Sequence, residues 1–136
     1  MALTKNREVD HYIDQEMRSL QVATGAHVFK GALVGVTAGG YARPLVAGDL
    51  FAGIAYEEMD NTAGADGDQS IRLYTLGDFG HALSGATIAN LGDPVYASAD
   101  DTLTLTATSN SFVGHAIDVP ASGQIILRLS TFRTAP

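Results

Sequence analysis

Residues 31–55, GALVGVTAGGYARPLVAGDLFAGIA, are written a second time 61 positions downstream (92 minus 31), where residues 92–116 read GDPVYASADDTLTLTATSNSFVGHA. Without a gap, Gly31 falls on Gly92, Val34 on Val95, Phe51 on Phe112, Gly53 on Gly114 and Ala55 on Ala116. Ile71-Arg72-Leu73 then meets Leu127-Arg128-Leu129 at an offset of 56 (127 minus 71), so the intervening loop is five residues shorter in the second copy (61 minus 56). A constant register that carries turns and strands of matching length points to two copies of one β-unit, here expected to be related by a pseudo-twofold axis.

Working outward, Ala26 to Val36 is apolar and β-branched with a break at Lys30-Gly31. Gly39-Gly40 supplies a hairpin turn, since glycine accepts the positive φ such turns require. Tyr41 to Val46 returns as a strand, and Pro44, which cannot donate to a ladder, confines it to an edge. Gly48-Asp49 turns into Leu50–Tyr56, followed by the polar loop Glu57 to Ser70 and a strand from Ile71 to Thr75. Ser84 to Leu91 is expected to form one or two helical turns closed by Gly92. Thr102-Leu103-Thr104-Leu105-Thr106 alternates strictly, giving a strand with one apolar face. Ser109-Asn110 turns into Phe112–Ile117, and Pro120-Ala121-Ser122-Gly123 turns back into Ile125–Leu129. The reading is an all-β fold, a small barrel or sandwich of β-tulip type. It has two hairpin units (31–73 and 92–129) and one short helix, within a single β-domain at 25–136.

Residues 1–24 stand apart as an N-terminal arm. Val9, Tyr12, Ile13, Met17 and Leu20 recur at the spacing of one helical stripe, and the arm is read either as a helix starting near Asp10 or as an extended segment. A stripe this narrow is no independent core. It is expected to be covered by its own barrel or by a neighbouring chain, which makes these five residues the candidate partner-binding set.

The 136 residues fit one domain. With 8 basic against 15 acidic residues and a net charge of −7, the chain lacks the clustered Lys and Arg that nucleic acid demands. No apolar run is long enough to span a bilayer, and no membrane partner is expected. The absence of Cys excludes disulfides, a thiol nucleophile and Cys-based zinc sites. His11, His27, His81 and His115 show no metal-ligand spacing, and each reads as structural or superficial. The acidic loop from Asp60 to Asp68 places Thr62 and Ala63-Gly64-Ala65 where a calcium loop needs oxygen ligands, so it reads as a solvated hairpin loop; Asp100-Asp101 reads as a turn. Neither Ser84 nor Ser98 sits in a nucleophile elbow. No catalytic residue, cofactor or metal is expected. Gly53 and Gly114, at one place in both copies inside apolar strands, read as structural glycines at a bulge or tight corner.

Taken together, Gly31, Val34, Phe51-Ala52-Gly53-Ile54-Ala55, Gly77-Asp78-Phe79, Gly92-Asp93-Pro94-Val95-Tyr96-Ala97, Val113-Gly114-His115-Ala116 and Ile125–Leu129 carry a resemblance to the capsid decoration (cement) proteins of tailed bacteriophages, of the DUF2190-like type. The resemblance covers some three-quarters of the chain. It implies a structural, non-enzymatic virion protein on the outside of a capsid shell, partnered by the major capsid protein and by itself as a homotrimer. It also implies synthesis in the host bacterial cytoplasm. A small carbohydrate-binding or adhesion module is the alternative, although Trp is absent and the five Tyr are scattered.

The failed ligand spacings yield a first prediction: the melting temperature in excess EDTA will match that in buffer, and a fall of more than a few degrees would contradict it.

Overall fold

The computed structural model describes residues 4–6 and 16–136. Among them the chain forms β1 (Met17–Gln21), β2 (His27–Val28), β3 (Leu33–Val36), β4 (Ala42–Pro44), β5 (Leu50–Ala55), β6 (Met59–Asp60), β7 (Ser70–Tyr74), β8 (Asp78–Ala82), a 3-10 turn (Ile88–Asn90), β9 (Pro94–Ala99), β10 (Thr102–Thr104), β11 (Ser111–Ala121) and β12 (Gln124–Leu129). The first five-stranded antiparallel sheet has the order β1-β7-β5-β3-β4 and the second, read in the matching direction, β8-β12-β11-β9-β10. The strands correspond one for one. A short ladder, β2 with β6, lies beside the first sheet. The architecture is a β-sandwich without a closed barrel.

The repeat is longer than the sequence match. Leu20 of β1 pairs with Ile71 and Phe79 of β8 pairs with Leu127, and Ile71 and Leu127 are the same position in the two copies. Met17–Gln21 is therefore the first strand of the first unit, so the helical alternative does not hold for Met17 and Leu20, and the arm ends before Met17. Positions three apart lie on one face of a helix but on opposite faces of a strand. Leu20 accordingly packs on the core, while Met17 lines a surface groove with Tyr74 and Phe79. The anticipated helix at Ser84–Leu91 contracts to the 3-10 turn, with Gly92 at φ 87° beyond it. β8, hidden in the glycine-punctuated stretch after Leu76, was not anticipated as a strand.

Tyr41–Val46 does supply an edge strand, β4, and the chain covers that edge itself. Ala23 N–H donates to Ala42 O at 2.9 Å and Val22 forms a parallel bridge with Ala42. Pro44 has no N–H to offer, so little of this edge is left as a template for another chain.

The two units do not face each other across a twofold. One core holds Val34, Ala42, Ala52, Ala55, Ile71 and Leu73 of the first sheet, closed over by Val22 and Val28. Their repeat partners Val95, Leu103, Val113, Ala116, Leu127 and Leu129 lie in the other core, packed on Leu33, Leu45, Phe51 and Ile54 from the opposite face of the first sheet. Like faces would meet under a twofold axis; here the inner face of unit two sits on the outer face of unit one. The expected pseudo-twofold is replaced by a head-to-tail stack.

Both central strands are bulged at the same point. Val34 pairs with Gly53 and Gly35 with Phe51, leaving Ala52 extra; Tyr96 pairs with Phe112 and Val95 with Gly114, leaving Val113 extra. Gly53 has φ 151° and Gly114 φ 152°, and a Cβ on either would run into a backbone carbonyl, that of Tyr74 or of Arg128. Gly53→Val and Gly114→Val are each predicted to destabilise by about 1–3 kcal/mol, the range for overpacking and strain. Urea melts in which one variant is costly and the other neutral would break the equivalence.

Candidate interaction surfaces

Of the five expected partner-binding residues, Val9, Tyr12 and Ile13 lie outside the described residues. Met17 and Leu20 are placed on opposite faces of β1, so these two do not share a contact surface. The groove beside Met17, about 310 Å³, is lined by Glu16, Tyr74, Leu76, Gly77, Asp78 and Phe79. An aromatic run continues from it, with Tyr74 ring centroids 5.3 Å from both Phe79 and Tyr56. The Arg72 guanidinium lies 4.9 Å from the Tyr56 ring centroid and is held by Glu57 at 3.0 Å. Arg128, its repeat partner, holds Asp78 at 2.8 Å. These hydrogen bonds from arginine lower the pKa of Glu57 and of Asp78. Both pairs are solvated, so they fix geometry more than they stabilise.

A larger groove of about 620 Å³ follows the β4 edge, with Thr24, His27, Tyr41, Arg43, Val46 and Asp66 in its walls. Arg43 is committed to Asp49 by two hydrogen bonds of 3.0 and 2.7 Å. His27 Nε2 lies 2.6 Å from Glu58 and its Nδ1 3.9 Å from Asp60. His81 Nδ1 contacts Ala82 O at 2.8 Å, and the His115 ring stands edge-on to Phe112. Among the described residues no three potential metal ligands converge.

In the acidic loop between β5 and β7, the aspartates accept from nearby backbone and hydroxyl donors. Asp60 accepts from Thr62 N–H and its hydroxyl, Asp68 from Ala65 N–H, and Asp66 from Thr24 N–H. The two Thr62 donors hold the Asp60 carboxyl below its usual pKa. At the centre is Asn61, 2% exposed, whose Nδ2 donates to Val22 O, Ala23 O and Ala65 O at 3.2, 3.0 and 3.0 Å. These bonds fasten the loop over the β1–β2 connection and close the first core. Sequence reasoning passed over Asn61, because its neighbours give it the look of one more polar loop residue.

It also gave no partner role to the connection between β8 and β9, which it read only as one or two helical turns. Residues 84–92, SGATIANLG, carry no charge. Thr87 N–H donates to Asn90 Oδ1 at 2.9 Å, Asn90 Nδ2 to Asp93 at 3.1 Å, and Gly92 N–H to Ala116 O at 2.7 Å, so the turn is fixed. Ile88 is 67% exposed and Leu91 53%. The signal was available: at the offset of 61, Ile88 stands where unit one has His27 and Leu91 where it has Lys30.

Among solved structures, the N base of the head fiber gp8.5 of bacteriophage phi29 shares the fold. It is 19% identical with a TM-score of 0.52, over 84% of this chain and 94% of that one. No curated protein matches the chain. The family model for phage cement proteins matches residues 13–129, which takes in every strand of both units, and the chain belongs to that family.

Proposed function

We propose that this chain is a non-catalytic cement protein that attaches to the outside of a phage capsid shell by binding the major capsid protein, and that it acts as a homotrimer after synthesis in the host bacterial cytoplasm. The observation that carries the reading is the family match across residues 13–129. The physical character of the chain supports it: paired surface charges, a covered β4 edge and hydrogen-bonded turns suit a rigid building block. Attachment by many weak contacts over a lattice of identical sites gives avid binding without a deep pocket.

Part of that attachment is assigned to the N-terminal arm through Val9, Tyr12 and Ile13, with Met17 at its root. Burying two or three such side chains is worth about 1.5–3 kcal/mol each before ordering costs. β1 belongs to the sheet, so the informative deletion removes residues 1–15 and spares Met17–Gln21.

The shortened chain is expected to keep its β-sheet circular dichroism and cooperative melt while losing most binding to undecorated shells in a co-sedimentation assay. Tyr12→Ala combined with Ile13→Ala should reproduce much of the loss, and Asp66→Ala should not. Full occupancy by the shortened chain would remove the arm from the contact. Light scattering is expected to give a trimer mass, and a monomer both free at micromolar concentration and on the particle would refute self-association.

A further inference from the structure

We propose that the uncharged turn at residues 84–92 is a shell-contacting tip that inserts Ile88 and Leu91 into an apolar depression on the capsid surface. The inference rests on the capsid-binding reading above. The internal repeat provides the control. The connection from β1 to β3 in unit one and that from β8 to β9 in unit two occupy the same place in their units. At matching positions unit one carries His27, held by Glu58 and Asp60, and the exposed Lys30. The fold thus accepts polar residues at these two positions, with Phe29 stacked on His27 between them, whereas Ile88 and Leu91 leave more than half of their surface in solvent.

The second copy also lacks cover. In unit one the longer loop sends β6 to pair with β2, and Val28 is fully buried beneath it. In unit two the shorter connection is the β11–β12 hairpin, which sends no strand to the turn, and Ala89, the counterpart of Val28, is exposed. The turn is fixed beforehand by its Thr87–Asn90 and Asn90–Asp93 hydrogen bonds, so little ordering is left to oppose binding.

A shell is a better occupant than a second copy. Two side chains on one turn offer far less than the roughly 1,200 Å² buried in a stable protein pair. A shell supplies the remainder through further contacts and many repeated sites. The absence of charge on the tip of a chain with net charge −7 argues for an apolar rather than a cationic receptor.

The test is co-sedimentation of the full chain with undecorated capsid shells, comparing wild type with Ile88→Ser plus Leu91→Ser. Both side chains are exposed, so the melting temperature should hold; Leu91→Ala alone serves should the double variant fail to fold. The expected result is at least tenfold weaker shell binding with an unchanged oligomer mass by light scattering. Shell binding equal to wild type would overturn the proposal. So would a variant that loses self-association yet still occupies shells, since the occupant would then be a second copy. Should wild type itself fail to bind shells, the capsid reading falls and the tip with it, an outcome separable from the first two by the wild-type lane.

Discussion

Two backbone carbonyls, of Tyr74 and of Arg128, stand where side chains on Gly53 and Gly114 would have to be. That exclusion governs much of the fold. Each glycine ends a bulge in the middle strand of its sheet, and a bulge bends and twists the strand that carries it. The bend lets a five-stranded sheet wrap an inner face made of small residues, Ala52 and Ala55 in one unit, Val113 and Ala116 in the other. A flat sheet would leave these short side chains without partners. The close approach of backbone to backbone accounts for glycine at a strand position where it otherwise costs stability.

The first unit closes its inner face by a different means. Val22 bridges to Ala42, and the loop from β5 to β7 folds over the remaining gap. Asn61 donates to three carbonyls of that loop and the β1–β2 connection, each of which also accepts a backbone N–H, so the amide ties the two segments together. The second unit has no such loop and is closed by the outer face of the first. Leu33 N–H donates to Asp100 O at 2.8 Å, Gly48 N–H to Ser111 Oγ at 3.1 Å and Phe132 N–H to Phe51 O at 2.8 Å, tying the units along their contact.

The sequence showed its repeat because the bulge and the turns need particular residues. Gly31 and Gly92 sit at φ 86° and 87°, and each donates its N–H to the alanine carbonyl of its own copy, Ala55 or Ala116. Such positions tolerate little substitution, so they align. β1 and β8 escaped notice because edge strands of five residues, one with its two apolar residues three apart and the other holding Gly80, carry no sustained alternation. The relation between the units was illegible for a deeper reason. A repeat tells which positions are equivalent, but only contacts across the interface tell which faces meet. For the surfaces, the arm was conspicuous by its charge, whereas Ile88 and Leu91 sit in a bland run of small residues that gains meaning only against His27 and Lys30.

Stacking unlike faces has a further consequence. A stack built that way has a direction and, in principle, no end: the outer face of the second unit stands in the same relation to a third as the first does to the second. Substitution changes that outer face in the second unit. Leu33, Leu45 and Ile54, buried where the next unit lies, become Pro94, Thr106 and His115 in the second copy, half-buried or exposed. Phe112 keeps the ring of Phe51, but Tyr96, standing where unit one has Gly35, leans edge-on against it at 5.7 Å and leaves it 2% exposed. Tyr96 and His115 together thus do for Phe112 what the second sheet does for Phe51, and the outer face of the second unit is not built to receive a third.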